Sequence, residues 1–210
     1  MKIERIRPEE IERRSFEIIT DLLGEQQPPD ETAHIVKRVI HTTADLEYAE
    51  TLYFSENAAQ ILSQALAEGA HIVTDTQMAL SGINKKTLAA FGGQVHCFMA
   101  DEDVARQARE RGVTRACVSM EKAATLSVPL IFAIGNAPTA LLRLDELVRE
   151  GTVRPRLIIG VPVGFVNGVQ SKERIMNAGV PCIVAKGRKG GSNVAAAIVN
   201  AGLYRLTRAK

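Results

Sequence analysis

The segment Lys186-Gly187-Arg188-Lys189-Gly190-Gly191-Ser192 gathers cations, glycines and a hydroxyl in seven consecutive positions. It follows an apolar run at 182–185 and precedes a helical pattern from Val194, so it should join a strand to a helix. Glycine amides and a helix N-terminus attract anions, and basic side chains add charge. The order is not that of a Walker A loop, and no G-x-G-x-x-G occurs in the chain, which disfavours a nucleotide as the anion. A solvated basic turn is the plainer alternative. His41 is the second group of interest, in Arg38-Val39-Ile40-His41-Thr42-Thr43-Ala44-Asp45 near the carboxyl end of a helical pattern. An imidazole there is either a proton donor or acceptor working near neutrality, or a structural residue bonded to a backbone carbonyl. The helix end favours its positive form while Lys37 and Arg38 oppose it, so sequence leaves its charge open.

Further segments concentrate small polar groups. Asp75-Thr76-Gln77-Met78 leads to Ser81-Gly82, and Gly135-Asn136-Ala137-Pro138 forms another such stretch. Each also has a local explanation: Asp75 or Thr76 as a helix cap, Ser81-Gly82 as a turn, Asn136 or Ala137 as entry to a helix that starts at Pro138. Ser171-Lys172-Glu173 reads either as site material or as the start of a helix, with Ser171 as its cap and the two charged residues facing solvent. Phe165 fits a core as well as a site. His34, His71 and His96 lack partners at metal-ligand spacing and read as structural or surface residues.

The elements that must hold these groups alternate. The first third is largely helical, with periodic apolar residues from Ile11 to Leu23, over 33–44, and in an Ala- and Leu-rich stretch ending at Gly69. Short apolar runs at 71–75, 95–99, 130–135, 157–161 and 182–185 then read as buried strands, separated by helical segments at 85–91, 114–126, 139–150, 171–178 and 194–206. This pattern predicts an α/β fold with a mainly parallel five-stranded sheet covered on both faces. Ligands of such sheets bind beyond the carboxyl ends of the strands, where the polar segments fall.

Bulk properties narrow the classes. A chain of 210 residues with 46% hydrophobic and 24% charged residues is expected to form one domain with a full core. A net charge of +2 gives no general case for nucleic acid or an anionic membrane. Three scattered cysteines form no C-x-x-C pair and fit reduced thiols in the cytoplasm. No apolar run approaches the roughly 20 residues of a membrane helix.

Taken in order, Ser15-Phe16, the His41 segment, Asp75-Thr76-Gln77-Met78, Gly135-Asn136-Ala137-Pro138-Thr139-Ala140-Leu141, Gly160-Val161-Pro162-Val163-Gly164-Phe165-Val166, Ser171-Lys172-Glu173 and Gly187-Arg188-Lys189-Gly190-Gly191-Ser192 resemble precorrin-8X methylmutase, the precorrin isomerase of vitamin B12 biosynthesis, and its cobalt-precorrin-8 counterpart. The resemblance implies a single precorrin isomerase domain over 1–210, a three-layer α/β/α sandwich, a cytoplasmic homodimer with sites near the subunit interface, and no cofactor or catalytic metal. It also implies a reaction, the internal shift of a methyl group from C-11 to C-12 of a corrinoid tetrapyrrole. His41 matches the family's proposed catalytic histidine. The implied substrate-binding residues are Ser15, Thr42, Thr76, Ser81, Asn136, Gly187, Arg188, Lys189 and Gly190, with the cations and loop amides receiving the acetate and propionate arms. The rival expectations are a corrinoid carrier without turnover and a phosphate- or nucleotide-binding enzyme resting on the basic loop alone.

Overall fold

The computed structural model describes residues 6–208. After a short 3-10 turn at Pro8–Glu10, the chain runs through α1 (Ile11–Leu23), α2 (Asp30–Thr43) and α3 (Tyr48–Thr51), then β1 (Leu52–Phe54), α4 (Ala58–Ala67) and β2 (His71–Thr74). Next come α5 (Gln77–Gly82), α6 (Lys85–Ala90), β3 (Val95–His96), α7 (Glu102–Arg111), α8 (Arg115–Ala123) and β4 (Leu130–Ile134). The last third holds α9 (Pro138–Arg149), β5 (Leu157–Gly160), α10 (Gly168–Met176), β6 (Cys182–Ala185) and α11 (Ser192–Arg208). No helix among the described residues is long and apolar enough to cross a membrane.

The strands form one sheet in the order β1-β6-β5-β4-β2-β3. It is parallel except at one edge, where β1 runs antiparallel to β6 with Leu52 opposite Ala185 and Phe54 opposite Ile183. The expected five strands are present, and β1 is a sixth that the sequence reading did not contain. Three residues between helical stretches give too short an alternation to register as a strand, and their pairing depends on a partner about 130 residues away.

Side chains alternate across the strands, so both faces are apolar. Ile72, Ile131, Ala133, Ile159 and Ile183 pack under α2, α4 and α11, while Val73, Phe132, Ile134, Ile158 and Val184 pack under α8, α9 and α10. These are the three expected layers. Three helices differ from the expectation: α3 is a single turn, α7 buries only Val104 and Ala108 of its ten residues, and neither is anticipated, while α10 begins at Gly168 rather than Ser171. Its entry is Asn167 in the left-handed region, so Ser171 is not the cap; its hydroxyl donates instead to the Gly168 carbonyl.

Helix α11 starts beyond the carboxyl edge of the sheet and runs back across it against α2 and α4. The approach to α4 is close at Gly202, where an added Cβ would sit 2.8 Å from Leu66 Cδ1 and 3.1 Å from Leu62 Cγ. Replacing Gly202 by Val should therefore lower stability by about 1–3 kcal/mol through overpacking, outweighing a helix-propensity gain below about 1 kcal/mol. A urea titration followed by circular dichroism checks this; an unchanged or higher midpoint would show that α4 gives way freely.

Candidate active site

Four loops leave the carboxyl ends of β2, β4, β5 and β6 side by side, and backbone groups hold them together. Asp75, directly after β2, is fully buried and accepts hydrogen bonds from the amides of Gly135 (2.9 Å), Asn136 (2.8 Å) and Ala137 (2.6 Å). Burial pushes its carboxyl above the usual range, and the three amides pull it back. Asp75 is thus neither a cap nor a free site group. It fixes the turn that leads into α9, whose first position is Pro138 as expected.

The basic glycine loop is held in a similar way with the opposite sign. Lys172 on α10 is 1% exposed, and its Nζ donates to the carbonyls of Gly187 (2.9 Å) and Lys189 (2.7 Å). This corrects the reading of Lys172 as a solvent-facing residue. The buried positions of α10 are Gly168, Ser171, Lys172 and Ile175, a stripe at helical spacing that places the lysine inward. Burial lowers its pKa to about 8. The loop then passes against the chain leaving β5: Gly191 N donates to Val161 O at 2.9 Å and Gly164 N to Arg188 O at 3.1 Å. Gly190 has φ +157°, and a Cβ there would lie 2.1 Å from Val161 O, so only glycine fits.

The loop cations differ in what they touch. Lys189 Nζ bridges Asp45 Oδ2 (2.6 Å) and Glu47 Oε2 (2.8 Å) in the turn after α2. Those carboxylates hold its ammonium above the ordinary lysine range, so its charge is spent within the protein. The Arg188 guanidinium stands 5.8 Å from the ring centre of Phe165, which is 85% exposed and therefore surface rather than core. Val163 and Val166 on the chain after β5, and Met78 in the first turn of α5, are also exposed.

His41 occupies the last turn of α2, beside the start of α11. Its Nδ1 lies 2.7 Å from Ser15 Oγ on α1, and the Phe16 ring meets the imidazole edge-on with centroids 5.5 Å apart. Nε2 has no hydrogen-bond partner among the described residues. The imidazole lines two clefts. One, of about 320 Å³, is bounded by Arg38, Thr42, Gly82, Asn193, Asn200 and Tyr204; the other, of about 220 Å³, is bounded by Ser15, Ile19, Leu22, Ile40, Ala44 and Leu46.

Thus His41, Ser15 and Thr42 come together, and the 187–190 loop is tied to the same corner through Lys189 and Asp45. Thr42 Oγ1 donates to Arg38 O within its own helix. Thr76 caps α5 by accepting from Ala79 N, and its hydroxyl also meets Ser192 Oγ at 2.8 Å. Asn136 is held by its amide and leaves its side chain exposed, and Ser81 is exposed on α5 near Gly82. Arg38 and Asn193, which line the cleft beside His41, are not singled out by the sequence. Away from this corner, His71 Nδ1 and His96 Nε2 meet at 2.9 Å, and His34 receives Arg205 at 3.0 Å.

Polar loops at the carboxyl edge of a mostly parallel sheet, with His41 on the adjoining α2, are the arrangement in which α/β proteins carry their ligand sites. A family model described as precorrin-8X methylmutase matches residues 10–205. A cobalt-precorrin-8 methylmutase of Salmonella typhimurium is 47% identical over 208 residues, covering 96% of this chain and 97% of that protein. A precorrin-8X methylmutase of Pseudomonas aeruginosa is 38% identical, covering 91% of this chain and 92% of that protein. The crystal structure of precorrin-8X methylmutase from Thermus thermophilus superposes with a TM-score of 0.88 at 37% identity, over 96% of this chain and 97% of that one. The chain belongs to the precorrin-8X methylmutase family, whose members are isomerases.

Lys172 supplies a test of how the site is built. Its folded pKa of about 8 lies below the 10.5 of an unfolded lysine, so between these values the unfolded chain holds the extra proton. Stability from this group is therefore present above pH 10.5 and is lost as pH falls toward 8. Lys172→Met removes that dependence and leaves two loop carbonyls without donors. Wild type should gain stability relative to Lys172→Met between pH 8 and 10.5 in denaturant titrations. Parallel curves would mean that the ammonium is not buried in solution.

Proposed function

We propose that this protein catalyses the internal methyl shift from C-11 to C-12 of a corrinoid acid, converting cobalt-precorrin-8 to cobyrinate or precorrin-8X to hydrogenobyrinate, with His41 as proton donor. The observation that carries the role of His41 is its Nδ1 contact with Ser15 Oγ at 2.7 Å, which leaves Nε2 for the ligand. The shift is redox-neutral and moves a group already on the substrate. Such a rearrangement develops little charge, so the protein's leverage lies in protonating the conjugated ring or holding a reactive tautomer.

In this reading Ser15, Thr42, Thr76, Ser81, Asn136 and the loop of Gly187, Arg188, Lys189 and Gly190 bind substrate. Loop amides and Arg188 receive acetate and propionate arms, and Lys189 contributes by fixing the loop to Asp45 rather than by a free charge. Exposed Phe165, Val166 and Met78 offer apolar surface to the ring. The whole chain acts as one catalytic domain, since β1 from its first third completes the sheet beside β6. Ile11, Ile18, Leu22 and Leu46, exposed around Ser15 and His41, suit the face of a homodimer with the site near its interface. Free Cys97, Cys117 and Cys182 accord with the cytoplasm. The 47% identity to a protein named for the cobalt substrate, against 38% to one named for precorrin-8X, favours the cobalt-containing form. The same names favour turnover over a carrier role.

The test is absorbance spectroscopy of purified protein with each substrate in large excess and nothing else added. Many equivalents of the cobalt substrate should convert per protein, faster than the metal-free one. A spectral change that stops at one equivalent would contradict catalysis and return the carrier.

A further inference from the structure

The N-terminal half of α1 carries Ser15, yet little apolar burial holds it down. Of the 13 residues of α1 only Ile19 and Leu23 are buried, both in its second half, and Ile11 is 54% exposed. Besides Phe16, which packs against the core, Arg38 fastens this half. It lies on α2 one turn before His41 and is 9% exposed, with its guanidinium 4.9 Å from the Phe16 ring centre and 5.0 Å from that of Tyr204 on α11. It is also ion-paired with Glu12. Glu12 and Phe16 flank Ser15 on α1, and the far edge of this stack is the His41 ring itself, 5.5 Å from Phe16.

We propose that Arg38 is a positioning residue for the isomerisation: by clamping Glu12 and Phe16 it holds Ser15 Oγ against His41 Nδ1 and so keeps Nε2 turned to the substrate. This rests on the role of His41 given above. A hydroxyl accepts from an imidazolium Nδ1–H and remains its partner when Nε2 gives up a proton, so a fixed Ser15 selects which nitrogen meets the ligand. Without the clamp α1 can move, and the ring is free to turn over and exchange its nitrogens. Arginine suits the task because its planar face stacks between two rings while its edge bonds a carboxylate.

The ring is read directly by long-range proton–nitrogen NMR of the neutral histidines, with the His41 signals assigned from a His41→Asn sample. Wild type should show one His41 tautomer. Arg38→Met should average the two ring nitrogens and lower kcat about 10- to 100-fold with KM changed less than about threefold. Ser15→Ala should slow wild type but add little in the Arg38→Met background, because the two act on one contact. Phe16→Leu cuts the same stack from the α1 side and should give the same ring spectrum even if Arg38→Met does not fold. An unchanged tautomer in whichever of these variants folds, or additive effects of Ser15→Ala and Arg38→Met, would overturn the proposal. The spectrum is taken without substrate, so a wild type lacking turnover would sink the isomerase reading while the ring spectrum still decides the clamp.

Discussion

A charged group buried at the end of a dry parallel sheet must be satisfied by backbone, and this constraint shapes the carboxyl edge twice. The Asp75 carboxylate gathers three consecutive amides of the β4–α9 turn, and the Lys172 ammonium gathers two carbonyls of the β6–α11 loop. Either charge left alone would cost several kcal/mol, so each loop is fixed by the requirement to serve its ion. The residues that face solvent on these loops then need no bonds of their own to stay in place. The groups available to a ligand are therefore those that the buried ions do not use: the Asn136 side chain, the Arg188 guanidinium and the exposed Phe165 ring.

His41 belongs to a different mechanical unit. It sits on helices rather than on strand loops, and what joins the units is electrostatic: Lys189 of the glycine loop reaches the turn after α2 at Asp45 and Glu47. His41 and the glycine loop are thereby registered by a surface ion pair, which is worth little in isolation but is anchored here at one end by the carbonyl clamp of Lys172. The arrangement places the His41 imidazole on one side and the Arg188 guanidinium with the loop glycines on the other.

Much of this was legible in the sequence because the central strands are buried on both faces and read as plain apolar runs, so the placement of polar segments at their carboxyl ends followed directly. Neither β1 nor α7 was legible: one is three residues long and exists only through β6, and the other buries two side chains. Within the site, charge is a poor sign of exposure: Lys172 shares the inward stripe of Gly168, Ser171 and Ile175, and Lys189 is paired with partners more than 140 positions away in the chain. Pairings of this kind are made by the fold and leave no local trace. The contact of Ser15 with His41 is likewise a meeting of two helices; family resemblance singles out both residues but not their pairing.

The proposed isomerisation requires the imidazole of His41 to take part in the chemistry rather than in the architecture. The most direct measurement is single-turnover absorbance change of His41→Asn at saturating substrate, with folding followed by circular dichroism and binding by titration with product. The expected result is a folded variant that still binds and whose turnover falls about 100- to 10,000-fold, the range for loss of a general acid, where one neutral hydrogen bond is worth only about 2- to 13-fold. A folded, ligand-binding His41→Asn protein that keeps more than about a tenth of normal turnover would contradict it.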